Sequence, residues 1–215
     1  MRILLLTLPR SRSNWAVSTL SKFHGITNLN QPYKSLFGLP HLYENYRDIS
    51  NSLSSIKDCV MKIEITQLTD RYNNNKLINI DLLDLHSFDK IYTTARLNIT
   101  NMVCSHRIAL ETNQWIFTNE TPSTRIDNFH FNPNDIKSII SMRGCLIDIA
   151  VLRYIQEFLT SHSISYIPLY YETMLKYAKE NWDDIKQTQY SASEYDYSKI
   201  FTNYEQIPEF IEHSR

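Results

Sequence analysis

Four short segments rich in apolar, aromatic and β-branched residues recur along the chain, and helical patterns separate them. The segments cover residues 3–7, 59–65, 90–96 and 165–172. Each predicts a strand, and the continuous apolar run 3–7 predicts a buried one. Apolar residues at helical spacing follow at 13–23, 99–110 and 132–159. Strands that alternate with helices predict an α/β fold, in which a mainly parallel β-sheet is flanked by helices.

The longest helical pattern carries start and packing signals. Asn132 suits the N-cap position, Pro133 the first helical position and Asp135 the first turn. The apolar residues that follow have helical spacing and predict one packed face. They are Ile136, Ile139, Ile140, Leu146, Ile147, Ala150, Ile155, Phe158 and Leu159.

Three other segments are harder to assign. Residues 25–50 contain two glycines and two prolines and predict an irregular segment. Residues 71–76 predict a solvated turn, and residues 78–86 a short helix. The apolar residues of the last stretch, Phe201 and Ile207 among them, predict that this stretch docks onto the rest of the chain.

The length and charge of the chain limit the number of domains and the classes of protein that it can belong to. With 215 residues, the chain is expected to form a single α/β domain over 1–215. Its 22 basic and 23 acidic side chains nearly cancel, so a general nucleic-acid-binding role is not expected. No apolar run is long enough to predict a membrane span.

The cysteines indicate a reducing environment. Cys59, Cys104 and Cys145 lie far apart in apolar stretches. Three separated cysteines predict reduced thiols in a cytoplasmic protein. Because no C-x-x-C pair is present, no structural metal site is expected.

The first strand runs directly into PRSRSNW (9–15), where a helix begins. Parallel sheets bind ligands at the carboxyl ends of their strands, near a switch in strand order. The first N–H groups of a helix have no intrahelical partner and favour an anion. Arg10 and Arg12 add charge, and the side chains of Ser11, Ser13 and Asn14 add hydrogen-bonding groups. The sequence therefore predicts an anion site, although the G-x-x-x-x-G-K-[ST] pattern of nucleoside-triphosphate loops is absent.

The same stretch resembles a known loop. TLPRSRSNW (7–15) is similar to the 5′-phosphosulfate loop of the sulfotransferases, commonly T-Y-P-K-S-G-T-T-W. The matching residues are Pro9, Arg10, Ser11, Ser13, Asn14 and Trp15. Arg12 replaces the usual glycine, so a side chain stands where the family backbone approaches the phosphate most closely. The resemblance implies a donor-binding loop formed by Arg10, Ser11, Arg12, Ser13, Asn14 and Trp15.

A second resemblance lies in KIYTTARLNITNMVCSHRIA (90–109). In the family, an arginine at a strand end and a serine in the following helix hold the 3′-phosphate of the donor. Arg96 and Ser105 match these positions, which implies that they bind the donor. Asn98 stands where many family members have proline.

The bacterial branch typified by trehalose sulfotransferases supplies a third resemblance. FNPNDIKSII (131–140), YIQEFL (154–159) and SISYIPLYYETML (163–175) are similar, in order, to its long helix and final strand. Tyr171 and Glu172 match its Tyr–Glu pair, and Glu172 is expected to brace the loop arginines or a helix start. Together the three resemblances cover most of the chain and imply a P-loop-like sulfotransferase fold.

Membership of this family would imply an enzyme with the co-substrate 3′-phosphoadenosine 5′-phosphosulfate and no metal. A sulfuryl group would pass in line to a hydroxyl or amine of a small-molecule or carbohydrate acceptor, with Arg10 stabilising charge on the leaving phosphate. For the general base, the resemblance points to Glu44 in LPHLYENYRD (39–48), with His41 narrowly behind. Lys62 occupies the place of a family strand lysine and is a weaker candidate for contacting donor or acceptor.

The sequence is also compatible with two other classes of function. A nucleotide- or nucleoside-kinase-like phosphotransferase would share the architecture and bind ATP with Mg²⁺. A catalytically degenerate sulfotransferase-fold protein would bind a ligand or partner without turnover. Arg12 in the loop and the missing proline after Arg96 are consistent with this last class.

Overall fold

The computed structural model describes residues 1–9, 11, 13–30, 56–65, 69–70, 76–77, 84–113, 128–174, 176 and 196–214. The chain divides into two compact units. The first unit lies within Met1–Ala95 and Asp148–Met174, and the second within Arg96–Ile147 and Leu175–Arg215. Each unit combines two separate stretches of the chain. The single domain expected over 1–215 stays a prediction.

The first unit is built on a parallel sheet. Its strands, with a separate short pair, are β1 (Arg2–Thr7), β2 (Thr27–Asn30), β3 (Cys59–Glu64), β4 (Thr69–Asp70), β5 (Lys76–Leu77), β6 (Lys90–Ala95) and β7 (Ile167–Tyr170). The main sheet has the order β2-β3-β1-β6-β7, and every neighbouring pair in it is parallel. This confirms the predicted α/β class. Strand β2 falls in the stretch that was expected to be irregular.

The α-helices include α1 (Ser13–His24), α2 (Ile99–Thr112), α3 (Ile136–Ser161), α4 (Tyr197–Ile200) and α5 (Ile207–His213), and residues 171–174 are also helical. A short 3₁₀ helix covers Leu85–Ser87, at the end of the stretch where a helix was expected over 78–86. Residues 78–83 lie outside the described part of the chain. Across the described residues, no helix combines the length and the apolar character that crossing a membrane requires.

Helices cover both faces of the main sheet. Successive side chains of a strand project to opposite faces, so Thr93 and Thr94 of β6 face different layers. The hydroxyl of Thr94 lies 3.1 Å from that of Ser11, just before α1. On the other face, the Gln156 amide of α3 donates to the Thr93 hydroxyl at 3.0 Å. Helix α1 and the second half of α3 therefore flank the sheet from opposite sides.

Helix α3 begins later than its start signals predict. It starts at Ile136, and the Ser138 backbone N–H donates to the Asp135 carboxylate at 3.2 Å. The Asn132 side chain instead accepts from the Asn134 backbone N–H at 3.0 Å. The prediction of Asn132 as N-cap was therefore wrong. Asn132 closes a local turn before the helix, and the carboxylate of Asp135 caps the helix proper.

The predicted apolar face of α3 is only partly correct. Ile155 and Leu159 are buried, but Ile136, Ile140 and Ile147 are 65%, 47% and 41% exposed. Other buried residues of this helix are Ser138, Ser141, Met142, Cys145, Asp148 and Leu152. Small hydroxyl side chains occupy buried positions because α2 provides hydrogen-bond partners for them.

The last described stretch docks within the second unit, as predicted. Phe201, Ile207 and Ile211 are buried there. The Phe201 ring meets the Phe129 ring edge-to-face, with centroids 5.4 Å apart. Backbone bonds fix the same contact, because the Thr202 N–H donates to the Phe129 carbonyl at 2.9 Å.

Arg107 joins α2 to the start of α3 within the second unit. It is 6% exposed, and its guanidinium lies 4.6 Å from the centre of the Phe129 ring. Its polar partners are Glu111 (Nη1 to Oε2, 2.7 Å), Asp135 (Nη2 to Oδ2, 3.1 Å) and Ser138 (Nε to Oγ, 3.2 Å). The hydrogen bonds from Arg107 and then from Lys137 lower the pKa of Glu111. These partners give the buried Arg107 a structural role, because they connect α2 to the start of α3.

We expect Arg107→Met to lower the free energy of unfolding by about 1 to 2 kcal/mol, because it removes the hydrogen bonds of the guanidinium to two partly exposed carboxylates and to the buried Ser138 hydroxyl. Urea unfolding followed by circular dichroism measures this change. Arg153→Met, at an exposed position of α3, is the matched control and should change stability by less than about 0.5 kcal/mol. Equal effects of the two substitutions would contradict the structural role of Arg107.

Candidate functional site

Polar side chains gather at the carboxyl ends of the three central strands. Thr7 of β1 is in register with Glu64 of β3 and with Thr94 of β6. Registered side chains of parallel strands project from the same face, and Lys62, two residues before Glu64, shares that face. Strand β1 separates the β2–β3 side from the β6–β7 side, and α/β sheets bind ligands at such a switch.

The turn after β1 is fixed to β6. The Leu8 backbone N–H donates to the Thr94 carbonyl at 3.2 Å, one residue past the end of the strand. The Ser11 hydroxyl donates to the Leu8 carbonyl at 2.6 Å and lies 3.1 Å from the Thr94 hydroxyl. Ser11 and Thr94 are both fully buried. These bonds set where the chain enters α1.

Lys62 is the centre of the site. It is 1% exposed, and its Nζ donates to Ser13 Oγ at 3.3 Å, to Asn14 Oδ1, and to Glu64 Oε1 at 3.3 Å. Three N–H groups thus meet three acceptors, which a buried ammonium requires. We call Ser11, Ser13, Asn14, Lys62, Glu64 and Thr94 the lysine cluster.

The ammonium of Lys62 is aimed at the start of α1. Ser13 and Asn14 are the first two residues of this helix. The free N–H groups of a helix start carry a positive partial charge, and here a full buried charge adds to it. The hydroxyl of Ser13 accepts from Lys62, so its own proton is available to an anion. The lysine cluster is therefore suited to bind a phosphate- or sulfate-like group.

Trp15 lies in the core of the first unit. It is 1% exposed, and its indole meets the Tyr171 ring edge-to-face, with centroids 6.1 Å apart. Within the described residues, the indole Nε1 has no hydrogen-bond partner. The Trp–Tyr contact links the start of α1 to the residue after β7. Glu172, the next residue of the predicted Tyr–Glu pair, is half-buried.

Arg96 and Ser105 both belong to the second unit, and each is 6% exposed. Arg96 Nη1 donates to the Asn101 carbonyl at 3.2 Å, and the Asn98 side chain caps α2 by accepting from the Asn101 N–H. Burial raises the pKa of the Cys104 thiol to about 12, against the opposing charge of Arg96. Arg96 therefore lies near the first two turns of α2, and Ser105 lies in the second of them.

The predicted residues Arg10, Arg12, His41 and Glu44 lie outside the described residues, and their roles stay predictions. The other predicted loop residues separate into three locations. Ser11 is bonded beside β6, Ser13 and Asn14 contact Lys62, and Trp15 is in the core.

The sequence underrates three residues of the site. It ranks Lys62 as a weaker candidate and assigns no role to Glu64 or Thr94. The available signal is a charged residue inside an otherwise apolar strand, as in CVMKIEI (59–65). Because a buried ammonium is unfavourable without partners, a lysine in such a strand indicates a paired group.

Neither the comparison with protein-family models nor the search of curated proteins finds a match to this chain. Within the described residues, no group of three or more His, Cys, Asp or Glu side chains is placed to hold a metal ion. The geometry of the lysine cluster and the resemblance of the loop are therefore the basis for a functional proposal.

We expect inorganic pyrophosphate at ten times its Kd to raise the Tm of the protein by about 3 to 6 °C, because it stabilises the folded state that binds it. Differential scanning fluorimetry measures the shift. Lys62→Met should remove most of it. Lys199→Met, whose side chain is 81% exposed, is the matched control and should respond like the unsubstituted chain. An equal shift in Lys62→Met would contradict an anion site at the lysine cluster.

Proposed function

We propose that the protein is a sulfotransferase that moves a sulfuryl group from 3′-phosphoadenosine 5′-phosphosulfate to an acceptor hydroxyl. One observation carries the proposal. The buried ammonium of Lys62 contacts the first two residues of α1, directly after the loop that resembles the phosphosulfate loop. We also propose that the α/β fold is the P-loop-like fold of the sulfotransferases.

Burial makes Lys62 a stronger anion-binding group than a surface lysine. Its ammonium is already out of water in the folded chain, so it needs little further desolvation when an anion arrives. The low dielectric around it also strengthens the attraction. The side chain is held by the strand that carries it and by the start of α1, so its position is set before the ligand binds.

The residues of the first unit fit a phosphosulfate group. The lysine cluster offers a cation, the Ser13 hydroxyl and the start of a 12-residue helix on one edge of the sheet. By the resemblance, Arg10 and Arg12 would add charge there. Arg96 and Ser105 would hold the 3′-phosphate, a group that ATP lacks.

In the transfer, the acceptor oxygen bonds to sulfur while the bond from sulfur to the phosphate oxygen breaks. Negative charge then grows on the leaving phosphate. Lys62 and Arg10 would stabilise that charge, and the side chains of Ser13 and Asn14 would keep Lys62 in place. The contribution of the protein is positioning and electrostatic stabilisation, since the chemistry needs no covalent intermediate.

Isothermal titration with 3′-phosphoadenosine 5′-phosphate tests donor binding. We expect a micromolar Kd that rises at least about tenfold in Lys62→Met, Arg10→Ala and Arg96→Ala, because each substitution removes a charge-assisted hydrogen bond. Lys199→Met should bind normally. Adenosine 5′-monophosphate, which lacks the 3′-phosphate, should bind more weakly than the diphosphate.

Two results would oppose the proposal. Absence of binding, or tighter binding of ATP with Mg²⁺, would favour the phosphotransferase class or no nucleotide function. Binding of the nucleotide without release of the sulfuryl group from the phosphosulfate donor would identify a binding protein of this architecture.

A further inference from the structure

Glu64 is the carboxylate of the lysine cluster. It ends β3, in register with Thr7 at the end of β1, and its Oε1 lies 3.3 Å from Lys62 Nζ. The two side chains differ in exposure, with 28% for Glu64 and 2% for Lys62. The pair therefore presents a buried cation and a carboxylate that a molecule arriving from solvent can reach.

The contact between these two residues is one that an anion can displace. Lys62 keeps Ser13 and Asn14 as neutral partners, and Glu64 is its charged partner within the cluster. The Glu64 side chain is 28% exposed, so water can solvate the carboxylate when an anion takes its place on Lys62. A phosphate or sulfate oxygen offers the ammonium the same charge, with the positive helix start beside it.

We infer that Glu64 is a catalytic residue that accepts the proton of the acceptor hydroxyl after the donor has taken its place on Lys62. This inference rests on the proposed function and deepens it, because it names the group that would take the proton of the acceptor. Glu44 and His41 are the competing candidates for this role.

The transfer of the sulfuryl group and of the proton needs no reactant besides the donor, the acceptor and Glu64. The acceptor oxygen forms a bond to sulfur, and the bond from sulfur to the 5′-phosphate oxygen breaks with its electron pair on that oxygen. The hydroxyl proton passes to a carboxylate oxygen of Glu64 and later to water.

The test compares binding and turnover in Glu64→Gln, an isosteric change. We expect its Kd for 3′-phosphoadenosine 5′-phosphate to be unchanged or lower by about threefold to tenfold, because a competitor for Lys62 is removed. Its release of the sulfuryl group from the phosphosulfate donor should fall at least about a hundredfold, which is typical for loss of a general base. The acceptors used are trehalose, 4-nitrophenol and water.

Glu157→Gln, at an exposed position of α3, is the control and should behave like the unsubstituted chain in both assays. Glu64→Asp keeps the carboxylate and should recover part of the turnover that Glu64→Gln loses. Glu44→Gln and His41→Ala should each lower turnover less than Glu64→Gln does. Melting curves show whether each variant is folded.

Three results would overturn the inference. They are normal turnover in Glu64→Gln, binding that weakens with turnover unchanged, and sulfuryl release that depends on Glu44 or His41 but not on Glu64. If the unsubstituted chain does not bind the nucleotide, or binds it and releases no sulfuryl group to any of the three acceptors, the proposed function itself fails. The inference alone fails when the unsubstituted chain transfers the sulfuryl group and Glu64→Gln does so equally well, so the two failures are distinguishable.

Discussion

Strand β1 has a parallel neighbour on each side, and this double pairing positions the candidate site. Its register with β3 and β6 sets Thr7 beside both Glu64 and Thr94. Parallel strands end at the same edge of a sheet, and the helix that follows β1 starts at that edge. The apolar residues Ile3–Leu6 are fully buried and hold this central strand in place. The sheet forms through these apolar residues and its backbone pairing. It therefore brings together the polar residues at the strand ends, whether or not they contact one another.

The lysine cluster is unusual because it places a full positive charge in the interior. Burial of an ammonium costs several kcal/mol, and hydrogen bonds offset this only when the geometry is good. Apolar residues at such a position often leave stability unchanged or higher. In the proposed function, the charge of Lys62 serves to bind an anion, and its contacts with Ser13 and Asn14 hold it in position. Arg107 in the second unit has no role in that proposal, and its contacts to Glu111, Asp135 and Ser138 point to a structural role.

The parts of the fold that the sequence predicts are those with strong local patterns. Strand β1 is a continuous apolar run, and β3 and β6 are rich in apolar, aromatic and β-branched residues. The bounds of all three agree closely with the predicted ones. Strand β2 reads TNLN, and nothing in these polar residues distinguishes a strand at the edge of a sheet from a loop. The N-cap of α3 was misplaced because Asn132 and Asp135 are both good capping residues, and tertiary contacts of Asp135 with Arg107 decide between them.

The residues of the site also divide into those that a local sequence pattern reveals and those that it does not. The loop residues Ser11, Ser13 and Asn14 could be singled out because they precede or begin a helix after a buried strand. The importance of Lys62 depends on the register between strands and on where α1 begins. Neither the strand register nor the first residue of α1 can be read from a local pattern in a single sequence. The loop arginines and the two candidate bases of residues 39–48 stand as predictions from resemblance.

A crystal structure of the protein with 3′-phosphoadenosine 5′-phosphate would show whether the lysine cluster binds the donor. We expect a 5′-phosphate oxygen about 3 Å from Lys62 Nζ, at the start of α1, with the Glu64 carboxylate moved away from the ammonium. A nucleotide bound elsewhere, with the contact between Lys62 and Glu64 intact, would contradict it.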